Sequence, residues 1–555
     1  MKRLAIIGAA VLAVAAIAIR QSLPPPAQTL TAASTGVRGA MHIHTRRSDG
    51  SGTPEQIAAA AARARLQFII LTDHGDGTGK PAAPAYHGRV LVVDAVEISG
   101  EDGHVIALGL PQTPYPLKGE VRDIVEDIAR AGGMSVAAHP GSMKPQLRWT
   151  EWTSPFDGLE WLNADSESRD ERWQSLARVL FTYPFAAASS IGSLLDRPDA
   201  ILRRWDALTA RRRVVALAGA DAHARLDLSG DDRAHKAVLN VPGYEAVFKA
   251  FSVTATGIRF TGNADADAAA LLDALRRGHV HTTVDALAGP GSVSFTASRG
   301  GTSWQAGDFV PPGEGDIELQ VESNAPSGSR VVLFRNGAVE ATGEQRLRRV
   351  VPGVPAVYRV EILLPDAPGS PPVPWVVTNP IYVRAQDAKP FTRAGPSARA
   401  PLYQDGDARG WRIETSLRSK AAVNVARTLT GTQLLLRWAL GGTLSESPYA
   451  AFVMPAGTLL PAYDRLLFKG RAEKPMRVSV QFRLESGERW RRSVYLDETD
   501  REVAVFFDDA RPVGATGQRR LPLGQVRDVL FVVDTVNTKP GSAGQFWIDD
   551  VQYGR

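Results

Sequence analysis

Residues of the types that bind metals recur in the first half of the chain, close to the ends of short apolar runs. The first group is GAMHIHTRRSDG, in which His42 and His44 stand two residues apart and Asp49 follows in the loop. Residues two apart in a β-strand point to the same side, so both imidazoles can reach one ion. This spacing favours the binding of a divalent cation.

Four further groups have the same composition and also follow apolar runs. They are Asp73 with His74, Glu97 with His104, His139, and Asp221 with His223. Burying so many ionisable groups without a cation would cost several kcal/mol, so the pattern predicts a metal site. The chain contains no cysteine, so the ligands are nitrogen and oxygen atoms, which suit Zn, Mn or Fe.

The elements that must position these residues alternate between strand and helix from Gly36 to Leu287. RGAMHIHT predicts a strand, and Thr53 followed by Pro54 predicts the start of an alanine-rich helix. LQFIILTDH, RVLVVDAVEIS, HVIALGL, MSVAAHP, GLEWLN and VVALAGADAHA read as further strands. Repeated β-then-α units indicate a parallel α/β sheet, open or closed, whose strand ends converge on one face.

The motifs HIHTRRSDG, LTDH, VEIS with HVIALGL, AAHP and GADAH occur in this order. Together they resemble the polymerase and histidinol phosphatase (PHP) family of metal-dependent hydrolases. The resemblance covers about Gly39 to Leu287. It implies a PHP domain over residues 36–287, folded as a distorted (β/α)7 barrel with two or three divalent ions. The later region from RRGHVHTTVDALAGPGSVSF to NPIYVR resembles the β-sandwich of its exported carbaryl-hydrolase-like subgroup.

Carried over position by position, the resemblance implies three ion sites. The first would use His42, His44, Glu97 and Asp221, the second Glu97, His104 and His139, and the third Asp49, His74 and His223. Glu97 would bridge two ions, and Glu97, Asp221 and His223 form the expected catalytic set. Asp49 stands where some members have histidine, which would weaken the third site or change its metal. Asp73 would orient a ligand imidazole or hold a turn.

Clustered ions of this kind lower the pKa of water and clamp the oxygens of a phosphate or carbonyl group. We therefore expect a hydrolase of a small molecule, with a phosphoesterase favoured over a hydrolase of carboxylic or carbamate esters or amides. A third reading is a non-catalytic surface protein that binds glycans. Arg46 and Arg47 either hold a substrate phosphate or lie solvated at the surface. Lys144, Glu160 and Asn163 are weaker candidates for lining the cleft.

Short strands separated by Gly, Pro and Asn turns follow the predicted PHP domain. They predict a β-sandwich at residues 288–384, a linker at 385–401 and a jelly roll at 402–555 that resembles galactose-binding-like domains. His279 and His281 form a second His-x-His pair, which we interpret as strand or cleft-edge residues. Trp438, Trp490 and Tyr495 either pack in a core or stack on sugars, which would make a glycan a partner.

The first 35 residues read as a targeting segment and spacer. Lys2 and Arg3 precede an apolar run from Leu4 to Ile19, and a proline-rich stretch follows. This pattern predicts either a cleaved signal peptide or a membrane anchor, and thus a periplasmic or extracellular protein. The formal net charge is +5, with no dense Lys/Arg block among aromatics, so no nucleic-acid partner is expected.

Overall fold

The structure is a computed structural model. It describes residues 20–31, 36–169, 173–226, 239–240, 243–386, 393–403, 409–428, 431–444, 447–514 and 519–555. The apolar run Leu4–Ile19, on which the predicted signal peptide or anchor rests, lies outside the described residues. None of the helices within them is both long and apolar enough to cross a bilayer. The chain divides into two compact units, the first from the described parts of Met1–Asp76, Lys80–Pro111 and Glu120–Pro390, the second from those of Gly77–Gly79, Gln112–Gly119 and Phe391–Arg555.

The helices of the described residues all lie in the first unit, apart from single 3-10 turns. They are α1 (Pro54–Arg63), α2 (Val121–Arg130), α3 (Ala164–Arg169), α4 (Trp173–Gly192), α5 (Asp199–Thr209), α6 (Gly243–Ala250) and α7 (Ala264–Arg277). The 3-10 turns, all in the second unit, are Leu460–Ala462, Phe507–Asp509 and Leu523–Gln525.

The strands fall into three consecutive sets. The first set is β1 (Gln28–Thr29), β2 (Gly36–Ile43), β3 (Phe68–Leu71), β4 (Ala85–His87), β5 (Val90–Asp94), β6 (Val96–Gly100), β7 (Gly103–Leu108), β8 (Met134–Ala137), β9 (Gly158–Asn163), β10 (Val215–Ala222), β11 (Arg225–Leu226), β12 (Leu239–Asn240), β13 (Ser252–Thr256) and β14 (Val280–Thr283). The second set is β15 (Ala288–Gly289), β16 (Val293–Arg299), β17 (Thr302–Gln305), β18 (Phe309–Val310), β19 (Asp316–Ser323), β20 (Arg330–Arg335), β21 (Ala338–Gly343), β22 (Arg346–Pro352), β23 (Ala356–Leu363), β24 (Val376–Thr378) and β25 (Ile381–Val383). The third set is β26 (Arg399–Tyr403), β27 (Arg412–Thr415), β28 (Lys420–Thr428), β29 (Gly431–Ala439), β30 (Tyr449–Pro455), β31 (Arg465–Ala472), β32 (Met476–Leu484), β33 (Arg489–Leu496), β34 (Arg501–Phe506), β35 (Arg511–Pro512), β36 (Val526–Asp534) and β37 (Ala543–Gly554).

Helix α1 begins where the sequence predicts it. The Thr53 side chain accepts a hydrogen bond from the backbone N–H of Gln56, and the Gln56 side chain accepts one from the backbone N–H of Thr53. This reciprocal cap satisfies two N–H groups that the first turn leaves without intrahelical partners. Ile57 and the alanines on the same face are buried against β2, β3 and β5. The helix thereby fixes the strands from which the first candidate ligands extend.

The main sheet of the first unit is mixed, not all-parallel as the alternating pattern suggests. Strand β2 pairs in parallel with β3 and β10, and β8, β9 and β10 are also parallel neighbours. Strands β6 and β7 instead form an antiparallel hairpin, and β7 is antiparallel to β8. The connection from Gly100 to Gly103 is too short for the crossover that parallel strands need. The pairings close the sheet on itself.

Residues 288–384, predicted as a separate β-sandwich, belong to the same compact unit as residues 36–287. Strand β24 pairs with β14, so the main sheet continues into β23, β20 and β25. Four further strands form a second sheet in the order β17-β16-β19-β22. A core that includes Phe295, Tyr358 and Trp375 lies between them. The continuous hydrogen bonding explains why this segment is not a free-standing body.

The second unit consists of two antiparallel sheets. One has the order β28-β29-β37-β31-β34, with β26 also paired to β37, and the other has the order β27-β30-β36-β32-β33-β35. Apolar side chains that alternate along both sheets form a single core. Trp438 and Trp490 are part of this core. The suggestion that these two tryptophans stack on sugars is therefore wrong, because stacking needs an open ring face.

Candidate metal centre

The nine candidate ligands sit at the ends of strands or in the loops that follow them. His42 lies in β2, Glu97 in β6, His104 in β7 and Asp221 in β10. The remaining five lie just beyond strand ends and are His44, Asp49, His74, His139 and His223. The structure brings them together as overlapping groups whose ligand atoms lie within 4.8 Å of one another.

The innermost group joins two imidazoles to two carboxylates. Nε2 of His42 lies 3.4 Å from Oε2 of Glu97 and 3.4 Å from Oδ1 of Asp221. Nε2 of His44 lies 3.3 Å and 3.5 Å from the same two oxygens. Both Nε2 atoms are fully buried and have no hydrogen-bond partner. Buried nitrogens without a partner are costly, so these atoms point to a ligand that the protein chain does not supply.

Glu97 connects this group to a second pair of histidines. Its Oε1 atom lies 2.9 Å from Nδ1 of His104 and 2.9 Å from Nε2 of His139. The Glu97 side chain is 1% exposed. A buried carboxylate with one oxygen towards each pair of imidazoles has the arrangement that a bridging ligand requires.

The third group surrounds Asp49 and is more open to solvent. Oδ2 of Asp49 lies 3.2 Å from Nε2 of His223 and 3.5 Å from Nε2 of His74, while Oδ1 lies 3.2 Å from Nδ1 of His44. The rings of His44 and His223 are stacked with centroids 4.2 Å apart. His44 therefore contacts both the inner group and the outer one.

The charges in the cluster are strongly coupled. Burial raises the pKa of Glu97, but the neighbouring imidazoles of His42, His104 and His139 hold that pKa well below its usual range. Burial lowers the pKa of His42, but the carboxylates of Asp221, Glu160 and Glu97 raise it well above its usual value. Carboxylates that stay ionised in a buried site need positive charge beside them.

The donor set fits divalent metal ions. Six imidazoles and three carboxylates supply the nitrogen and oxygen ligands that Zn, Mn and Fe accept. A cation bound among them would balance the negative charge and would give the Nε2 atoms of His42 and His44 a partner. The histidine and carboxylate groups could therefore hold metal ions.

Glu160 is the residue at this site whose role the sequence analysis underrates. Its Oε1 lies 2.6 Å from Nδ1 of His42, and its Oε2 accepts hydrogen bonds from the backbone N–H of His139 and from Nδ2 of Asn163. A carboxylate that holds one ring nitrogen directs the other towards a metal. The only signal in the sequence is a glutamate inside the apolar strand GLEWLN. The structure shows that this glutamate is buried.

The backbone is strained where it carries these side chains. His42, His139 and Asp221 have φ angles of 61°, 32° and 42°, in the left-handed region that residues with a side chain rarely adopt. Such strain persists where the surrounding structure enforces it and is concentrated at functional sites. Gly219 leaves the space for Glu160, since a Cβ atom there would lie 1.8 Å from its Oε1.

No protein-family model matches the chain. One curated relative, the 3',5'-nucleoside bisphosphate phosphatase of Chromobacterium violaceum, is 30% identical over 122 residues, which cover 20% of this chain and 43% of the relative. The chain thus matches less than half of that enzyme's length.

Among solved structures, the family 11 carbohydrate-binding module of the cellulosomal cellulase Lic26A-Cel5E of Clostridium thermocellum aligns at 13% identity over 28% of this chain and 95% of its own, with a TM-score of 0.23. The mannan-recognising module TmCBM27 aligns at 13% identity over 30% and 99%, with a TM-score of 0.21.

Asp73 holds the loop that carries Asp49. Its carboxylate accepts hydrogen bonds from the backbone N–H and hydroxyl of Thr45, from Nε of Arg47 and from the hydroxyl of Ser48. These contacts agree with the turn role of Asp73, and Ser48, whose hydroxyl also lies 3.5 Å from Nδ1 of His44, stands between Asp73 and the nearest imidazole. Tyr244 supports the other side of the loop, because its hydroxyl donates to the carbonyl of His44.

The arginines beside His44 are engaged by the protein itself. Arg47 forms ion pairs with Asp73 and Asp94, and Nε of Arg46 donates to the carbonyl of Ser51. Their present contacts favour a role in holding the loop. A role for either arginine, or for Lys144, in binding a phosphate remains a prediction.

The second His-x-His pair lies apart from the cluster. Nε2 of His279 lies 2.8 Å from Oδ1 of Asp308. His281 is buried in β14 opposite Thr254 of β13, and neither histidine belongs to a group of candidate ligands among the described residues. Their placement agrees with the interpretation as strand and edge residues.

Proposed function

We propose that this protein is a PHP-type metal-dependent hydrolase and acts as a phosphoesterase on a small organic phosphate. The observation that carries the proposal is the meeting of His42 and His44 with Glu97 and Asp221, where two buried Nε2 atoms have no hydrogen-bond partner. The proposal includes the distorted (β/α)7 barrel and two or three ions of Zn, Mn or Fe. The similarity to a bisphosphate phosphatase supports it.

In this proposal each group of side chains holds part of the metal centre. His42, His44, Glu97 and Asp221 hold the first ion, Glu97, His104 and His139 the second, and Asp49, His74 and His223 the third. Bound ions would activate water and polarise a phosphate oxygen. Glu97 and Asp221 keep their negative charge because the imidazoles beside them lower the pKa of both carboxyl groups.

The gradient of exposure suggests the side from which substrate arrives. The side chains of His42 and His44 are 0% exposed, whereas those of Asp49, His74 and His223 are 24%, 37% and 26% exposed. A substrate would therefore reach the outer group first. His223 belongs to this outer group, and we propose that it acts in catalysis together with Glu97 and Asp221.

A panel of chromogenic substrates tests the reaction class. We propose to assay p-nitrophenyl phosphate, bis(p-nitrophenyl) phosphate, p-nitrophenyl acetate and a p-nitrophenyl carbamate with Mn²⁺ or Zn²⁺, on the wild type and on His42→Ala. The proposal expects metal-dependent release from at least one phosphate, lost in His42→Ala. Hydrolysis of the acetate or carbamate alone would favour the carboxyl-ester alternative, and no hydrolysis together with glycan binding would favour the non-catalytic one.

Location and glycan binding complete the proposal. We propose export to the periplasm or beyond, from the basic and apolar character of residues 2–19. Glycan binding by the second unit is likewise a proposal, with Tyr495, which is half-buried, as the remaining aromatic candidate. Cell fractionation tests the location, and a glycan array probed with Tyr495→Ala beside the wild type tests the binding.

A further inference from the structure

Helix α4 exposes an apolar face of unusual extent. Trp173, Leu180, Phe181 and Phe185 are 73%, 60%, 50% and 60% exposed. Ala177 and Pro184 are also exposed. These positions follow the spacing i, i+4, i+7, i+8, i+11 and i+12, which places them along one side of a helix. The exposed residues therefore form one continuous stripe.

Helix α4 exposes apolar side chains and buries polar ones, which is the reverse of what is expected for a helix at a protein surface. Its buried residues include Thr182 and Ser190, whose hydroxyls lie 2.8 Å apart. Arg178 is the single charged residue between Trp173 and Gly192. A helix of a soluble protein normally turns its apolar stripe to the core and its polar side to water. An exposed stripe of this size marks a surface that contacts another apolar body.

The chain that follows the N-terminal apolar run passes directly beside this helix. Nε and Nη2 of Arg178 both lie 3.3 Å from the carbonyl oxygen of Ser22, to which they donate hydrogen bonds. Ser22 is three residues from Ile19, the last of sixteen consecutive apolar residues that begin at Leu4. The apolar stripe of α4 and the apolar N-terminal run are thus joined by a short stretch of chain.

We propose that the stripe on α4 lies in the interfacial layer of a lipid bilayer, with the helix parallel to the membrane surface. Tryptophan and phenylalanine are suited to this layer, and Arg178 beside them can reach the lipid headgroups. Pro184 and the non-helical backbone of Ala186, with φ −148° and ψ 58°, interrupt the helix. A lipid surface is favoured over a second copy of the chain because Leu4–Ile19, which ends three residues before Ser22, is itself apolar enough to associate with lipid.

The absence of cysteine in the chain allows a site-specific test on the full-length protein. We propose to label Phe181→Cys, and separately Phe185→Cys, with an environment-sensitive nitrobenzoxadiazole dye. Val339→Cys is the matched control, because Val339 lies in β21 of the same unit and is 61% exposed. Each labelled protein is mixed with vesicles of phosphatidylcholine and phosphatidylglycerol at 3:1, with and without lipid carrying a doxyl quencher near the headgroup.

The proposal expects a several-fold rise in emission with a blue shift at positions 181 and 185, reversed by the doxyl lipid, and little change at position 339. Equal responses at all three positions, or none at 181 and 185, would overturn it. A dye at position 181 that is already shielded in vesicle-free buffer would also overturn it. If that dye stays shielded when the protein is diluted, residues 4–19 of the same chain cover the stripe. If the shielding is lost on dilution, a second copy of the chain covers it.

Discussion

Oε1 of Glu160 lies 2.6 Å from Nδ1 of His42, and both side chains are fully buried. Because a carboxylate can only accept in this contact, Nδ1 of His42 carries the hydrogen. Nε2 is then directed at Glu97 and Asp221, where it could bind a cation once it has released its own proton. Glu160 also holds the backbone N–H of His139. One carboxylate therefore positions two candidate ligands from outside the cluster.

Replacing Glu160 by glutamine is expected to weaken metal binding without removing a ligand. The amide keeps the size of the side chain but loses the charge that fixes the His42 ring, and such losses typically reduce metal affinity about 10–100-fold. Isothermal titration with Mn²⁺ or Zn²⁺ on metal-stripped protein measures the change. Glu314→Gln, at an exposed position of the same unit, is the control. Equal affinities of Glu160→Gln and wild type would refute the positioning role.

Gly219→Ala should reproduce the loss of metal affinity expected in Glu160→Gln. The new Cβ would lie 1.8 Å from Oε1 and 2.4 Å from Cδ of Glu160, so the carboxylate must move away from His42. We expect metal affinity to fall at least tenfold, in the range given for an outer partner of a ligand histidine. Gly313→Ala is the control, because the nearest atom to its Cβ would be 3.9 Å away. Unchanged metal affinity in Gly219→Ala would contradict this prediction, because it would mean that Glu160 keeps its contact with His42 beside the new methyl group.

Asp49→Asn separates the outer group from the inner one. Asp49 forms ion pairs with His44, His74 and His223. The amide lacks the negative charge that balances an outer cation, so the variant should bind one ion fewer while retaining the inner ions. Metal-to-protein ratios by mass spectrometry measure this, with the exposed Asp316→Asn as control. Loss of every ion in Asp49→Asn would contradict independent inner and outer groups.

His281 is expected to make the free energy of unfolding depend on pH, independently of metal binding. Burial, assisted by the charge of Arg38, lowers the pKa of His281 to about 4, while in the unfolded chain it is about 6.5. The unfolded state therefore binds a proton first as the pH falls. The contribution of neutral His281 to the free energy of unfolding is complete above pH 6.5. It decreases by about 2 kcal/mol between pH 6.5 and 5, and it is lost near pH 4.

The measurement is the melting temperature of wild type, His281→Gln and His87→Gln at pH 7 and pH 5. His281→Gln should show a smaller decrease between the two pH values than wild type, whatever its absolute stability. His87→Gln, on the surface strand β4, should behave like wild type. Identical pH dependence in all three proteins would mean that His281 takes up its proton in the folded state.

The sequence predicts most of the local elements around the site, because strand and helix periods and the Thr53 cap are local signals. It does not predict the direction of β7, although the brief connection between Gly100 and Gly103 makes a parallel crossover impossible. The spacing of two residues in a strand explains only in part why the rings of His42 and His44 meet. His42 has a φ of 61° and His44 follows the end of β2, so tertiary contacts place the two rings.

Glu160 and α4 show what local patterns leave out. Glu160 lies in a strand whose other side chains are buried, and only the folded chain shows that His42 and His139 are its partners. Helix α4 is missed because Pro184 interrupts its pattern and its apolar residues face outward. A pattern that assumes burial of apolar residues cannot find a helix built for another surface.

The metal content of the purified full-length chain tests the central claim most directly. After incubation with Mn²⁺ and Zn²⁺ and removal of free metal, inductively coupled plasma mass spectrometry should find two or three ions per chain in wild type and in His281→Gln. His42→Ala should have lost most of them. Less than one ion per wild-type chain, or equal loss in His42→Ala and His281→Gln, would contradict the account.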